Sequence, residues 1–372
     1  MTHIHSDVLI IGGGQAGLAT AHQLQATDLS FSILERHTTI GASWANRYDA
    51  LTLFTPRAFS ALPGMDMDGD PQGYATRDEF VAYLKAYAEP FEAFIHLDED
   101  VQHLERSDDY FYARTSRGNT YSSDFVIIAT GPFQTPKRPQ IANDFSENVC
   151  QFTAETYKNP DQIPSGTVLV VGDGATGRDI ANELSRTHTV LLATGRARRL
   201  IPEKLLGQSI WWWLDKLRLL SVGTNTPLGR YMKRVDPFPA RGRRLNSLKR
   251  RGVQIVPYLT SSNGLSAFFA DGQVQSVTTV IWAIGYSDHS DWVAMPDVKD
   301  AHGNFVHTAG IAPVDKLYFV GRSWQRTRGS ALVTGVGADA RFIVDHILNH
   351  HLHATQSTAR TKVHVTSPPP SR

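Results

Sequence analysis

The sequence predicts an α/β fold in which one nucleotide-binding unit interrupts another. Three observations predict it. A strand, a GxGxxG loop and a helix occur in that order twice, with the loops at Gly12–Gly17 and Gly172–Gly177. Each copy is followed by a second apolar strand, ending in Glu35 in the first and in an arginine cluster in the second. Apolar segments that stop at a glycine, Phe125–Gly131 and Val280–Gly285, bracket the second copy. The pattern is that of two dinucleotide-binding, Rossmann-like domains, the second inserted into the first.

In the first unit, Asp7–Ile11 reads as a short buried strand, and the loop opens directly into a helical stretch at Leu18–Leu24. Gly12 permits the tight turn, Gly14 lets backbone approach a pyrophosphate, and Gly17 lets helix and strand pack closely. Gln15 and Ala16 open the helix, whose free N–H groups and positive dipole end suit phosphate. Glu35 ends the strand Phe31–Leu34 and can accept both ribose hydroxyls of an adenosine.

In the second unit, Thr167–Val171 is the strand, and Gly172, Gly174, Ala175, Thr176 and Gly177 form the loop and helix start. The following strand, Thr189–Thr194, ends in Gly195-Arg196-Ala197-Arg198-Arg199 in place of an acid. Arginine attracts a 2′-phosphate that an acid would repel. The acid-ended site therefore suits FAD and the arginine-ended site NADPH, with Arg196 as the expected contact. If these arginines only decorate a loop, NADH serves as well.

The chain returns through Lys316–Gly321, a buried strand with a glycine stop, and through a helix opened at Gly335–Ala340 and running to about Asn349. Gly321 and Gly337 are thus expected beside FAD, where a helix N-terminus can stabilise charge on reduced flavin. The expected domains are 1–160 with 284–352 for FAD, 161–283 for NADPH, and a disordered tail over 353–372, rich in Ser, Thr and Pro.

Composition narrows the class. The single cysteine, Cys150, excludes an internal disulfide or redox-active cysteine pair and fits a cytoplasmic setting. No apolar run reaches the ~18 residues of a membrane span, and Asp7 with the glycine loop follows too soon for a secretory signal. The net charge of +1 conceals an asymmetry: residues 196–251 hold 15 Lys/Arg against 3 acids, a net of +12, against −11 elsewhere. This is either a surface for an anionic ligand or partner, or a solvated face around one cofactor phosphate. No motif accompanies it that would indicate nucleic acid. Trp211–Trp213 stand in a helical pattern and cannot all face one core, since each step turns by about 100°. Packing on the neighbouring domain is expected for them, with dimer, substrate-entrance or peripheral membrane contact as the alternatives. The histidines at 346, 350, 351 and 353 read as a solvated helix end, and no metal is expected. A symmetric homodimer is the default oligomer.

From about residue 7 to residue 350 the chain resembles the flavin-containing monooxygenases (class B flavoprotein monooxygenases), especially short bacterial FAD/NAD(P)-binding oxidoreductases. The resemblance rests on the two glycine loops and on Gly41–Trp44, Tyr48–Pro56, Ala129–Gly131, Trp282–Tyr286 and Arg326–Ser330. It implies that Trp44 and Leu51–Thr55, including Leu53 and Thr55, lie along the flavin, and that Gly131 and Gly285 lie near the cofactors and the domain hinge. It makes Arg328 the candidate catalytic polar group, or else a salt-bridge partner. The reaction it implies is hydride transfer from NADPH to FAD, then oxygen transfer from a flavin C4a-hydroperoxide to a small organic substrate. Two features depart from the family. Glu147 and Thr153 stand where its fingerprint after Phe145 has glycine and histidine, and Phe54 stands where eukaryotic members have asparagine. They leave two other functions in play: an NADPH:acceptor oxidoreductase or oxidase without oxygen insertion, and a redox-sensing regulatory flavoprotein.

Overall fold

The structure, a computed structural model, describes residues 2–365, with the side chains of Ala331 and of residues 353–365 excepted. Its first sheet has seven strands. His3–Ile11 lies between Phe31–Glu35 and Thr120–Ile128, parallel to both, and Ile95–Leu97 adds to Phe31–Glu35. Beyond Thr120–Ile128 the sheet divides. The first half of that strand pairs antiparallel with Tyr110–Thr115, which carries Val101–Ser107. The second half takes Leu317–Phe319 in parallel, with Val126 opposite Leu317 and Ile128 opposite Phe319. The chain thus leaves this sheet at Ile128 and re-enters it at Leu317.

A second, all-parallel sheet forms in between, in the order Gln254–Val256, Thr189–Ala193, Thr167–Val171, Thr279–Trp282, Cys150–Thr153. The last strand differs from the expectation, which left residues up to 160 with the first domain. Four residues, half of them polar, carry no strand signal of their own. Their partner supplies it: beside the ladder to Thr279–Trp282, the Trp282 indole N–H donates to Gln151 Oε1 at 3.0 Å.

The central strands of both sheets are buried on both faces, which is why they read as apolar runs. Val8 and Ile10 enter one apolar cluster with Leu18, Phe80 and Ile343, while Leu9 and Ile11 enter another with Phe111, Trp292 and Phe319. In the second sheet Val168 and Val170 face one cluster and Leu169 another.

The last helix spans Val333–Val365. Val336, Ala340, Ile343, Val344 and Ile347 recur at helical spacing and join the first cluster beside the helix Gln15–Leu24. Its backbone continues over 353–365, where the sequence predicts a disordered tail. No proline or glycine interrupts the chain between Gly337 and Val365, so nothing in the backbone stops the helix. Residues 366–372 of that tail lie outside the described residues. Among the described residues no helix is long and apolar enough to cross a membrane.

Candidate functional site

The two glycine loops have nearly the same backbone. Gly12 and Gly172 have φ of +114° and +105°, a region that excludes side chains. A Cβ on Gly12 would lie 2.7 Å from the Ala129 carbonyl oxygen, and one on Gly172 2.5 Å from that of Ala283. Gly17 and Gly177 serve packing: a Cβ there would lie 1.9 Å from the Gly12 oxygen and 1.8 Å from the Gly172 oxygen. Gly14 and Gly174 differ from both. They precede the helices Gln15–Leu24 and Ala175–Leu184 at ordinary φ of −78° and −69°, and a Cβ there would meet nothing within 4 Å. Gly131 and Gly285 are likewise open. Bare backbone facing free space at two helix N-termini is what two dinucleotide phosphates require, so the residues present fit the cofactors.

One cavity of about 590 Å³ serves both loops, within the ~300–1,000 Å³ of small-molecule sites. From the first unit it is lined by Gly12, Gly14, Gln15, Ala16, Glu35, Trp44, Leu53, Gly131 and Gly321. From the second it is lined by Ala175, Thr176 and Asp179. Glu35 is buried at the end of its strand. It accepts from the Gly13 N–H at 2.9 Å and from the His37 N–H and Nδ1 at 2.9 and 2.6 Å. Burial pushes its carboxyl up, but these hydrogen bonds outweigh burial and hold it below the usual range. The Trp44 indole donates to Gln15 Oε1 at 3.0 Å, which ties the Gly41–Trp44 segment to the first helix.

Five expected residues outside the two glycine loops do not line the cavity. The Thr55 hydroxyl is 2.7 Å from Ser60 Oγ and does not line the cavity. Gly337 sits inside the last helix, where a Cβ would strike Pro63 at 2.3 Å, so its role is close packing. The Arg328 guanidinium is buried, donates to the Pro237 carbonyl at 3.1 Å and stacks 5.0 Å from the Trp324 ring. Burial lowers its pKa, and it does not reach the cavity. Gly285 contributes backbone, its carbonyl accepting from the Lys137 N–H at 2.9 Å. Arg196 is exposed on the loop after Thr189–Ala193 and, among the described residues, has no hydrogen-bond or ion-pair partner. Arg198 beside it turns back toward Asp173, 4.0 Å away, which Arg178 also holds at 2.7 Å.

The cavity also gathers residues that the motifs did not mark. Arg241 reaches over from the basic segment to Thr52, donating to its carbonyl at 3.3 Å and to its hydroxyl, with its guanidinium 5.0 Å from the Tyr74 ring. Arg243 pairs with Asp179, which also accepts from the Tyr48 hydroxyl at 3.2 Å. Burial raises the Asp179 carboxyl above its usual range, against the pull of Arg243 and Arg241. Arg47 lines the same cavity and donates to the Tyr286 hydroxyl. The only signal for Arg241 and Arg243 was the charge of 196–251. Phe54 forms part of the wall; its carbonyl accepts from the Trp211 indole at 3.1 Å and its ring lies 6.0 Å from that of Trp211. Trp211 therefore packs on the first unit, as expected for one member of the triplet.

Residues 9–204 match the family model described as pyridine nucleotide-disulphide oxidoreductase. The chain belongs to that family. It is 45% identical to the uncharacterized oxidoreductase CzcO-like of Geobacillus kaustophilus (strain HTA426), over 94% of this chain and 100% of that one. It is 29% identical to the probable indole-3-pyruvate monooxygenase YUCCA1 of Arabidopsis thaliana, over 76% of this chain and 75% of that one. The solved flavin-containing monooxygenase from Stenotrophomonas maltophilia matches the fold with a TM-score of 0.78 at 23% identity, covering 93% of this chain and 99% of that one. The chain is thus an oxidoreductase of the pyridine nucleotide-disulphide family, built on the fold of a flavin-containing monooxygenase. Disulphide chemistry that runs through an internal cysteine pair is ruled out in one chain: Cys150 is alone and lies exposed on the edge strand of the second sheet.

Proposed function

We propose that the chain is an FAD-containing, NADPH-dependent monooxygenase that transfers an oxygen atom from O2 to a small organic substrate, working in the cytoplasm. The observation that carries this reading is the single cavity lined by the helix starts of both glycine loops. Bound together, the nicotinamide cofactor supplies electrons and the flavin delivers them to oxygen. Residues of the chain hold and separate the two. Gly14, Gln15 and Ala16 offer backbone N–H groups to the FAD pyrophosphate, and Glu35, ionised at neutral pH, accepts from the ribose. Trp44, Leu53 and Phe54 give the cavity an apolar wall. Gly174, Ala175 and Thr176 take the NADPH pyrophosphate, and the unpaired Arg196 is free to meet the 2′-phosphate.

The test is a balance of electrons and oxygen. The holoenzyme is given NADPH, isotopically labelled dioxygen and a panel of amines, thioethers and ketones. Labelled product, with peroxide falling short of the NADPH oxidised, is the expected result. Peroxide equal to NADPH with every substrate would defeat oxygen transfer and leave an NADPH oxidase. Two observations favour that second reading. Phe54 gives the wall an apolar ring where a polar amide would stand in eukaryotic relatives. Thr153, at the fingerprint histidine position, accepts from the Glu155 and Thr156 N–H groups and does not line the cavity.

A further inference from the structure

The segment between the strands Thr189–Ala193 and Gln254–Val256 contains a feature that the cofactor site leaves unused. Lys204–Leu205 and Gln208–Ser209 form an antiparallel hairpin whose two turn residues are Leu206 and Gly207, with φ of +50° and +78°. A turn with two left-handed residues favours Asn-Gly. Here a leucine takes the first position and gains no packing in return, because it is 83% exposed. Leu205 and Leu217 are exposed as well, at 46% and 62%. Lys204, Lys216 and Arg218 surround these leucines in the sequence and are exposed. Among the described residues none of the three is ion-paired. The hairpin is braced, not loose: the Trp213 indole on the helix Ile210–Lys216 donates to the Leu205 carbonyl at 2.9 Å.

We propose that this hairpin and helix dock on the surface of an anionic lipid bilayer. Leucines on a strained, solvated turn are unfavourable in water and become favourable once inserted among acyl chains, while the surrounding cations meet lipid phosphates. Charge complementarity selects this occupant. Around the hairpin and its helix Lys204, Lys216 and Arg218 outnumber the acids Glu203 and Asp215, and the next helix, Pro227–Val235, exposes Arg230, Lys233 and Arg234. A second copy of the chain would bring like charge against like. A soluble phosphate ligand has no use for the leucines. The docked face would also adjoin the cavity, since Trp211 of the same helix holds the Phe54 carbonyl.

The experiment is sedimentation of the full-length, cofactor-loaded protein with vesicles of phosphatidylcholine alone or with about 30 mol % phosphatidylglycerol, an anionic surface. Binding to the anionic vesicles only, weakened by salt, is expected. Leu206→Asn suits the left-handed turn, so the variant folds; it should lower vesicle affinity roughly tenfold, one apolar anchor's worth. Lys216→Gln with Arg218→Gln should lower it roughly thirtyfold, two surface cations' worth. No sedimentation, equal binding to both vesicle types, or unchanged affinity in Leu206→Asn overturns the proposal. So does a dimer in light scattering that Leu206→Asn dissociates while vesicle binding persists, which would assign the face to a second copy.

Discussion

Gly14 and Gly17 belong to one motif, yet alanine at each should fail differently. At Gly17 the new methyl would lie 1.9 Å from the Gly12 carbonyl oxygen. Loop and helix must separate by more than an ångström, which costs about 1–3 kcal/mol or more, as overpacking does. At Gly14 the methyl meets no atom within 4 Å at an ordinary φ of −78°. The folded chain then loses only about 1 kcal/mol, the difference between glycine and alanine at a helix N-cap. In the proposed FAD site that free space is where the pyrophosphate approaches, so the same methyl should weaken FAD by about 1–3 kcal/mol, a roughly five- to 150-fold rise in Kd. Thermal melts of the apoprotein and fluorescence titration with FAD separate the two effects. Gly17→Ala should lower Tm by several degrees, and Gly14→Ala should leave Tm nearly unchanged while losing flavin affinity. A Gly14→Ala protein that melts normally and binds FAD as tightly as wild type would refute the reasoning. Gly174 and Gly177 should repeat the contrast with NADPH.

Three further outcomes are expected. Arg196→Ala should weaken NADPH by about 1–3 kcal/mol, the scale of a hydrogen bond to a charged group, and leave NADH binding unchanged; equal losses for both would remove Arg196 from the 2′-phosphate site. Trp211→Phe deprives the Phe54 carbonyl of its partner and should cost about 1–3 kcal/mol, seen as a lower Tm with NADPH affinity intact; an unchanged Tm would show that the bond contributes nothing. The third concerns His307, whose imidazole is lowered by burial, and further by Arg322 and Lys233 against Asp288, from 6.5 to about 4. The unfolded chain takes up this proton first, so stability should fall as pH drops from 6.5 to about 4 and level off below, at a slope of at most about 1.4 kcal/mol per pH unit. His307→Gln should flatten that slope in pH-dependent melts, and an unchanged slope would acquit His307.

Short-range chemistry made part of this protein readable without its structure. Turn conformation and close approach within six residues demanded glycine at Gly12, Gly17, Gly172 and Gly177. Burial on two faces turned the central strands into apolar runs, and Glu35 follows its strand directly. Adding the strand of Cys150–Thr153 to the second sheet required its neighbour, because a four-residue segment has no period of its own. The same limit applied to side-chain direction. Thr55, Gly337 and Arg328 sit in segments that resemble flavin-lining ones, but Ser60, Pro63 and the Pro237 carbonyl turn them elsewhere. Conversely, Arg241 reaches the cavity by bonding to Thr52, 189 residues away in the chain, and no local pattern encodes such a contact. The sequence by itself determined two glycine loops, their order and the unequal strand ends that follow them. Only the tertiary structure decided that both open into one cavity, which side chains line it, and that a leucine of the basic segment stands out in water. Loop geometry is set by neighbours along the chain, whereas a cavity wall and an exposed patch are set by what the rest of the chain covers.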